Sequence, residues 1–176
     1  MKFLPAALPG AFRVELERVT DERGFFARTW CAHEAEAHGL NPVVAQCNVS
    51  YTRRRGTIRG MHFQRAPRAE AKLVRCTRGT IADVILDLRP GSPTYKRWQR
   101  FELSDTDRIA LYIPEGLAHG FQALTDDAEV LYQMSEFYSP EHAAGVRWND
   151  PAFGISWPLS DPILSPKDAA YPDFAG

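Results

Sequence analysis

The sequence predicts a mostly β protein of the jelly-roll type, in which two sheets close on each other around one core. Three observations support this fold class. Many short segments with strand patterning follow one another at roughly even spacing, turn signals separate them, and little of the chain has helical periodicity. Longer apolar runs such as residues 81–88 fit a closed double sheet. We therefore expect an all-β fold, an antiparallel β-sandwich barrel with a few short helices.

The N-terminal part of the chain is expected to form two strands and one helix. Apolar and polar residues alternate over 12–19, which is typical of a half-buried strand, and residues 25–30 form the next strand. Residues 32–38 have helical character, with Gly39 placed to end the helix. The Asn-Pro pair at 41–42 then prevents its continuation.

Eight further strands are expected after the helix, at 43–48, 57–64, 71–76, 80–88, 98–103, 108–113, 120–124 and 128–134. Turn signals rich in Gly, Pro, Ser and Asp separate most of them. The last segment, 157–176, is rich in Pro and Asp and is expected to wrap around the outside. The sequence contains no internal repeat and no low-complexity linker, so residues 1–176 are expected to form one domain.

Charge and cysteine content narrow the class of protein. The net charge of −1 provides no overall attraction to nucleic acid or to a membrane surface. The run of arginines at 53–55 is the dense basic cluster, and it fits a solvated turn or a phosphate contact. Three cysteines without CxxC spacing fit a reducing compartment. Because Pro5 and Pro9 interrupt the short apolar start, we expect no signal peptide and a cytoplasmic location.

Residues 59–64 contain the first candidate for chemistry. His62 lies in the middle of a predicted strand, between two bulky apolar residues. Regular alternation places Arg59 and His62 on opposite faces of that strand. A glycine in a strand often marks a bulge that redirects side chains, so Gly60 offers a way for both to reach one pocket. A pocket at the end of the strand is the other possibility.

A metal site has weak support. Cupin-type jelly rolls often bind a metal through a His-x-His pair, a following Glu and a distant His. Here Phe63 and Gln64 follow His62, so the second ligand is missing, and His62, Glu70 and His119 are a poor set of ligands. We expect no metal and no cofactor.

Other polar residues have two interpretations each. Lys72 and Tyr132 share strand faces with apolar residues, which is typical of a pocket inside a barrel, although Tyr132 also fits a core tyrosine with its hydroxyl at the edge. His119 has Ala and Gly as neighbours, which leaves room for a ligand. Asp83 either orients His119 or lies with Asp87 on a solvated outer face, and the spacing leaves both open.

Eleven segments match one known family in collinear order along nearly the whole chain. They are 21–26, 46–50, 58–64, 72–76, 83–84, 92–94, 113–121, 131–132, 138–140, 148–151 and 164–168. Together they resemble the dTDP-4-dehydrorhamnose 3,5-epimerase family, which are cofactor-free sugar-nucleotide epimerases with a cupin-like jelly-roll fold. Each motif alone is weak, but this number in register is a specific signal.

The resemblance implies roles for individual residues. His62 matches the family's general base, Asp168 the carboxylate that orients it, and Tyr132 the acid on the opposite face of the sugar. Lys72 and Arg59 match cations near the ketone oxygen. The other substrate contacts that the resemblance implies are Arg23, Phe26, Gln46, Asn48, His119 and Lys167.

The activity that the resemblance implies is epimerisation at C3 and C5 of a nucleotide-diphosphate-linked 4-keto-6-deoxyhexose, with dTDP as the favoured nucleotide. Removing a proton beside a ketone requires cations that stabilise the enolate, each contributing about 3–4 kcal/mol. Acid and base groups contribute about 10²–10⁴-fold. A mono-epimerase or ketoisomerase on a related nucleotide sugar, a metal-binding cupin and an inactive sugar-nucleotide binder are the alternatives.

Three positions depart from the family pattern. The family usually has glutamate where this chain has Arg28 and Ala143, and often tyrosine where it has Phe137. These changes affect the nucleotide end of the substrate more than the proton chemistry. The resemblance also implies a homodimer in which N-terminal strands, about residues 1–30, are exchanged, so that Arg23 and Phe26 would serve the partner's pocket.

Overall fold

The computed structural model describes residues 1–175 and contains two large antiparallel sheets packed face to face. The strands are β1 (Lys2–Pro5), β2 (Phe12–Glu15), β3 (Val19–Asp21), β4 (Gly24–Phe26), β5 (Gln46–Thr52), β6 (Ile58–Gln64), β7 (Lys72–Arg78), β8 (Thr80–Asp87), β9 (Trp98–Ser104), β10 (Ala110–Ile113), β11 (Leu117–Ala123), β12 (Ala128–Met134) and β13 (Ala143–Gly145). The helices are α1 (Ala32–Ala37) and α2 (Pro166–Ala169). The predicted all-β jelly-roll sandwich is confirmed.

The two sheets join strands that are far apart in sequence. The six-stranded sheet has the order β1-β2-β10-β7-β12-β5, and the five-stranded sheet has the order β13-β6-β11-β8-β9. Strands β3 and β4 form a separate two-stranded hairpin. Because most pairings are long-range, the sheets place side chains from distant parts of the chain opposite one another.

Strand β8, which is mostly apolar, is buried on both of its faces. Ile81 and Ile85 point into the core between the sheets, whereas Val84 and Leu86 pack on the other face under residues that include Phe153. Both faces of β8 are therefore covered, which removes the usual alternation with polar residues. Each such side chain stabilises the fold by about 1.5–3 kcal/mol through burial.

The predicted helices and strands differ from the observed ones mainly in the residues at which they begin and end. The helix and β12 agree with the sequence to within one residue, but residues 12–19 were expected as one strand and form parts of β2 and β3, with a break between them. The strand expected at 43–48 begins three residues later and continues to Thr52, because its pairing with β12 extends to Ala128. Strands β1 and β13 and helix α2 were not predicted.

The C-terminal segment does more than wrap around the outside. Ile163 forms a parallel bridge with Thr57, and α2 packs against β6. These contacts bring residues 163–171 to the open end of the sandwich, while Gly176 of the predicted tail lies outside the described residues. Among residues 1–175 there is no helix with the length and apolar character needed to cross a membrane.

Candidate active site

A cavity of about 750 Å³ lies between the two sheets, at the end where the C-terminal segment crosses them. Its walls come from both sheets and from that segment. The six-stranded sheet contributes Gln46, Asn48, Ser50, Lys72, Tyr132 and Met134; the five-stranded sheet contributes Arg59, His62, Gln64, His119, Ala143 and Ala144; and the C-terminal segment contributes Lys167, Asp168 and Tyr171. The volume suits a small-molecule ligand.

A bulge in β6 places Arg59 and His62 in the same cavity. His62 pairs with His119 of β11, and Arg59 pairs with Phe121. The four residues from Arg59 to His62 on β6 therefore face only three residues on β11, so β6 contains one extra residue. The extra residue reverses the alternation between these two positions. The bulge interpretation is therefore confirmed, and the expectation from regular alternation, that the two side chains lie on opposite faces, is wrong here.

His62 and Asp168 form a hydrogen-bonded pair between β6 and α2. The imidazole Nε2 lies 2.7 Å from Asp168 Oδ1, and the Gly60 backbone N–H donates to Asp168 Oδ2 at 3.4 Å. Ser165 caps α2 by accepting a hydrogen bond from the Asp168 backbone N–H. Burial alone would raise the pKa of the Asp168 carboxyl, but the bonds from His62 and Gly60 outweigh it and lower that pKa. The carboxylate is thus ionised and able to orient the imidazole.

Tyr132 faces His62 from the opposite wall. It lies on β12 between Asn48 of β5 and Val74 of β7 in the sheet register. Burial raises the pKa of its hydroxyl well above the ordinary value, and the Asp83 carboxylate adds to the rise. The hydroxyl therefore holds its proton at neutral pH. A proton donor and a potential proton acceptor consequently stand on opposite sides of one cavity.

Two cations, Lys72 and Arg59, line the same cavity. Lys72 Nζ is 2.7 Å from Glu70 Oε1, and both side chains are less than a tenth exposed. Arg59 donates from Nε to Thr52 Oγ1 at 3.1 Å and from a terminal nitrogen to the Tyr51 carbonyl at 3.0 Å. These contacts hold the guanidinium and the ammonium in place before any ligand binds.

His119 is oriented by Asp83, as one of the two interpretations predicts. The distance from His119 Nε2 to Asp83 Oδ2 is 2.8 Å, and the Asp83 side chain is fully buried. Its Oδ1 has no hydrogen-bond partner among residues 1–175. Asp87 is also buried and accepts bonds from Arg89, so the solvated outer face is wrong for both carboxylates.

Arg23 and Phe26 are the two predicted site residues that lie away from this chain's cavity. They belong to the hairpin of β3 and β4, where the Arg23 side chain is 85% exposed and Phe26 is 77% exposed. Arg23 pairs with Asp21 within the hairpin. In the described part of the chain, neither residue lines the cavity. The structure therefore brings together nine of the eleven predicted residues.

The three positions that depart from the family pattern have different surroundings. Arg28 is 62% exposed and pairs with Glu34 of α1 at 2.8 Å. Ala143 lines the cavity. Phe137 is 63% exposed, whereas the next residue, Tyr138, contributes to the cavity wall. Of the three positions, Ala143 thus lies at the cavity, whereas Arg28 and Phe137 lie at the surface.

Sequence reasoning missed Tyr171, Tyr138 and Glu70 as parts of the site. Glu70 was considered only as a metal ligand, and its position two residues before Lys72 was a usable signal for an ion pair. Tyr171 follows Asp168 by three residues, but nothing local indicates that its ring lies near His62. That proximity depends on how the tail crosses the sheet.

Within residues 1–175, no group of three or more His, Cys, Asp or Glu side chains is arranged to hold a metal ion. All three candidate ligands already have partners, His62 with Asp168, Glu70 with Lys72 and His119 with Asp83.

Comparison with known proteins gives a consistent result. A family model described as dTDP-4-dehydrorhamnose 3,5-epimerase matches residues 5–176. The dTDP-4-dehydrorhamnose 3,5-epimerase of Methanothermobacter thermautotrophicus is 45% identical over 170 residues, which is 95% of this chain and 91% of that protein. The dTDP-4-dehydrorhamnose 3-epimerase of Streptomyces niveus is 41% identical, covering 96% of this chain and 81% of that protein.

Among solved structures, the dTDP-4-dehydrorhamnose 3,5-epimerase of Bacillus anthracis with TDP and PPi bound has a TM-score of 0.94 and 41% identity. The match covers 98% of this chain and 99% of that chain. Both the sequence and the fold are therefore similar over almost the entire length.

Proposed function

Because the chain belongs to the dTDP-4-dehydrorhamnose 3,5-epimerase family, we propose that it inverts C3 and C5 of a dTDP-linked 4-keto-6-deoxyhexose. The observation that carries this proposal is the placement of His62 and Tyr132 on opposite walls of one cavity. Inversion requires that a proton leaves one face of the sugar and that another arrives at the opposite face. A base and an acid on facing sheets meet that requirement.

His62 is the base in this proposal. It removes the proton from the carbon beside the ketone, and the electron pair of the C–H bond moves into an enolate. Asp168 orients the imidazole and stabilises the imidazolium that forms, because its ionised carboxylate lies 2.7 Å away. Positioned acid–base groups of this kind contribute about 10²–10⁴-fold to the rate.

Lys72 and Arg59 are proposed to stabilise the negative charge on the enolate oxygen. Both are held by other protein groups, so little reorganisation is needed during the reaction. Tyr132 then delivers its proton to the opposite face of the carbon. Its raised pKa ensures that the proton is present at neutral pH.

The remaining cavity residues are proposed as substrate contacts. Gln46 and Asn48 present side-chain amides from β5, His119 presents its imidazole beside Tyr132, and Lys167 offers a charge for the diphosphate. These contacts would fix the sugar between the base and the acid.

The proposal is tested by running the reaction in deuterium oxide. Wild-type protein with the dTDP-4-keto-6-deoxyglucose substrate should incorporate deuterium at both C3 and C5, and His62→Ala should incorporate none. Retention of wild-type incorporation by His62→Ala would contradict the role of His62.

Epimerisation at C3 alone is the second candidate. It is favoured by the 41% identity to the Streptomyces niveus protein, which is described as a 3-epimerase. The same deuterium experiment separates the two candidates, because a mono-epimerase labels one carbon only.

The nucleotide is tested by thermal shift with dTDP, UDP, GDP and CDP, since a ligand of the native state raises its stability. Arg28 and Ala143 make this test necessary, because they alter the proposed nucleotide end. The largest shift with dTDP is expected, and a larger shift with another nucleotide would reassign the substrate.

We also propose a homodimer in which each chain's β3–β4 hairpin contributes Arg23 and Phe26 to the other chain's cavity. The exposure of both side chains and their distance from this chain's own cavity support it. Mixing and refolding His62→Ala with Arg23→Ala should restore part of the activity, because one pocket of each mixed dimer is then intact. No restoration would contradict a shared site.

A further inference from the structure

Tyr171 lies beside His62, in a space that a glycine leaves open. Gly145 of β13 is directly opposite His62 in the antiparallel pairing of β13 with β6. Directly opposed residues direct their side chains to the same face of a sheet. A side chain at position 145 would therefore stand next to the imidazole on the cavity side.

Gly145 is needed for space rather than for backbone conformation. Its φ lies outside the left-handed region, so other residues are able to adopt it. A Cβ at this position would lie 2.6 Å from both Cε2 and the hydroxyl oxygen of Tyr171, which is too close for any real contact. The ring of Tyr171 thus occupies the place that a residue 145 side chain would otherwise fill.

The Tyr171 ring is close to His62 in space and to Asp168 along the chain. Its centroid is 6.3 Å from that of the His62 ring, and Tyr171 follows Asp168 by only three residues. Helix α2, which carries Asp168, has four residues, and a helix this short depends on packing for its position. The contact of Tyr171 with Gly145 therefore ties the segment bearing Asp168 to the strand opposite His62.

We propose that Tyr171 is a positioning residue that keeps Asp168 in hydrogen-bonding reach of His62, and that Gly145 is the receptor for its ring. This inference rests on the proposed role of His62 as the base. The positioning acts through the contacts of the ring with Gly145 and His62, so it requires the aromatic ring, which phenylalanine also supplies.

Steady-state kinetics across pH provide the first test. Tyr171→Phe keeps the ring and removes only the hydroxyl beside Lys167, so it should keep the pH–rate profile of the wild type. Tyr171→Ala and Gly145→Ala should each lower kcat by about 10–100-fold, as is common when the partner that orients a catalytic group is lost, with KM changed less than twofold. Both should move the acidic limb of the pH–rate profile in the direction that Asp168→Asn moves it.

The double variant provides a sharper prediction. Once Ala replaces Tyr171, a methyl group at position 145 no longer meets the ring, so Gly145→Ala should have little additional effect on kcat. Additive losses would contradict the proposal. A large rise in KM with an unchanged pH profile would also overturn it, because Tyr171 would then be a substrate contact only.

A measurement that is independent of activity separates this inference from the proposed function. The proton shared by His62 and Asp168 should give a downfield NMR signal that His62→Ala abolishes. The signal should persist in Tyr171→Phe and weaken in Tyr171→Ala and Gly145→Ala. Its persistence in both alanine variants would overturn the inference even if the epimerase activity is established, and its loss would support the positioning role even if the substrate proves different.

Phe174→Ala is the matched control. Phe174 lies on the same tail but packs on Phe153, with ring centroids 5.1 Å apart, away from His62. This variant should lower thermal stability and leave the NMR signal and the pH profile unchanged. Equal effects of Phe174→Ala and Tyr171→Ala would contradict a specific role for Tyr171, because general loosening of the tail would explain both.

Discussion

Gly60 of β6 and Gly120 of β11 approach each other so closely that neither position admits a side chain. A Cβ on Gly60 would lie 2.5 Å from the Gly120 Cα atom, and a Cβ on Gly120 would lie 2.9 Å from the Arg59 carbonyl oxygen. Gly60 also has a φ of +140°, which other residues rarely adopt. This contact lies inside the bulge that turns both Arg59 and His62 into the cavity, so the geometry of the site depends on it.

Gly60→Ala is therefore expected to damage both the fold and the site. We predict a loss of about 3 kcal/mol in the free energy of unfolding, from backbone strain and overpacking together, and a fall in kcat/KM of more than tenfold. Urea denaturation and kinetics measure the two effects. Gly91→Ala is the control, because Gly91 also has a positive φ but a Cβ there meets nothing within 4 Å. Wild-type activity in Gly60→Ala would contradict the proposed importance of the bulge.

Asp168→Asn should reduce kcat by about 10²–10⁴-fold, the range for losing a positioned acid–base function. The amide removes the negative charge that is proposed to stabilise the imidazolium but keeps the shape of the side chain. Asp173→Asn on the same tail is the matched control, since Asp173 is 64% exposed and pairs with Arg147 at the surface. A comparable loss in both variants would show that the charge on the tail, rather than the bond to His62, matters.

Tyr132→Phe should separate proton removal from inversion. His62 remains able to exchange the substrate proton with solvent, but no acid delivers a proton to the opposite face. We predict deuterium incorporation with retained configuration and a fall of about 10²–10⁴-fold in inverted product, both measurable by NMR of the sugar. Tyr112→Phe is the control: Tyr112 is a buried tyrosine of β10 whose hydroxyl accepts from the Asn41 backbone, away from the cavity. Unchanged inversion in Tyr132→Phe would exclude it as the acid.

The buried Asp87 carboxylate is expected to make the free energy of unfolding depend on pH. Burial alone would raise the pKa of its carboxyl, but hydrogen bonds from Arg89, Ser92 and Thr94 outweigh this and lower it. A carboxyl with a lowered folded-state pKa stabilises the fold above its unfolded-state pKa of about 3.9, and this contribution is lost as the pH falls toward the folded-state value.

Asp87→Asn should accordingly cost about 1.5–3 kcal/mol at pH 7, the usual worth of a hydrogen bond to a charged group, and progressively less below about pH 4. Urea denaturation at several pH values measures the difference from wild type. Glu102→Gln, which changes an exposed carboxylate of β9, is the control and should have little effect at any pH. A cost for Asp87→Asn that does not depend on pH would contradict the charge-based explanation.

Local patterns were sufficient for most of the fold. The regular strand β12 was predicted with its observed ends, because Val130, Tyr132 and Met134 alternate with outward-facing residues. The errors in the predicted strands occur where pairing with other strands, rather than the local residue pattern, decides where a strand begins and ends. Apolar and polar residues alternate from Phe12 to Glu17, yet β2 stops at Glu15. The short strand β13 has no side-chain pattern strong enough to be recognised.

The candidate site likewise contains some residues that the sequence indicates and others whose place depends on contacts between distant segments. Residue types and their order along the chain indicated the base, its carboxylate and the acid through the family resemblance. They did not indicate Tyr171, and they left two interpretations for Asp83. Both cases depend on which distant residue a side chain meets, namely Gly145 for Tyr171 and His119 for Asp83.

The sequence by itself determined the all-β class, the positions of most strands along the chain and the family to which the chain belongs. These follow from short-range alternation, turn residues and collinear motifs. Only the tertiary structure decided that Arg59 and His62 share a cavity and that Asp168 reaches His62 across 106 positions of the chain. The physical reason is that strand register, a bulge and close backbone contacts between distant segments set these distances. None of them leaves a periodic signal in the residues that they bring together.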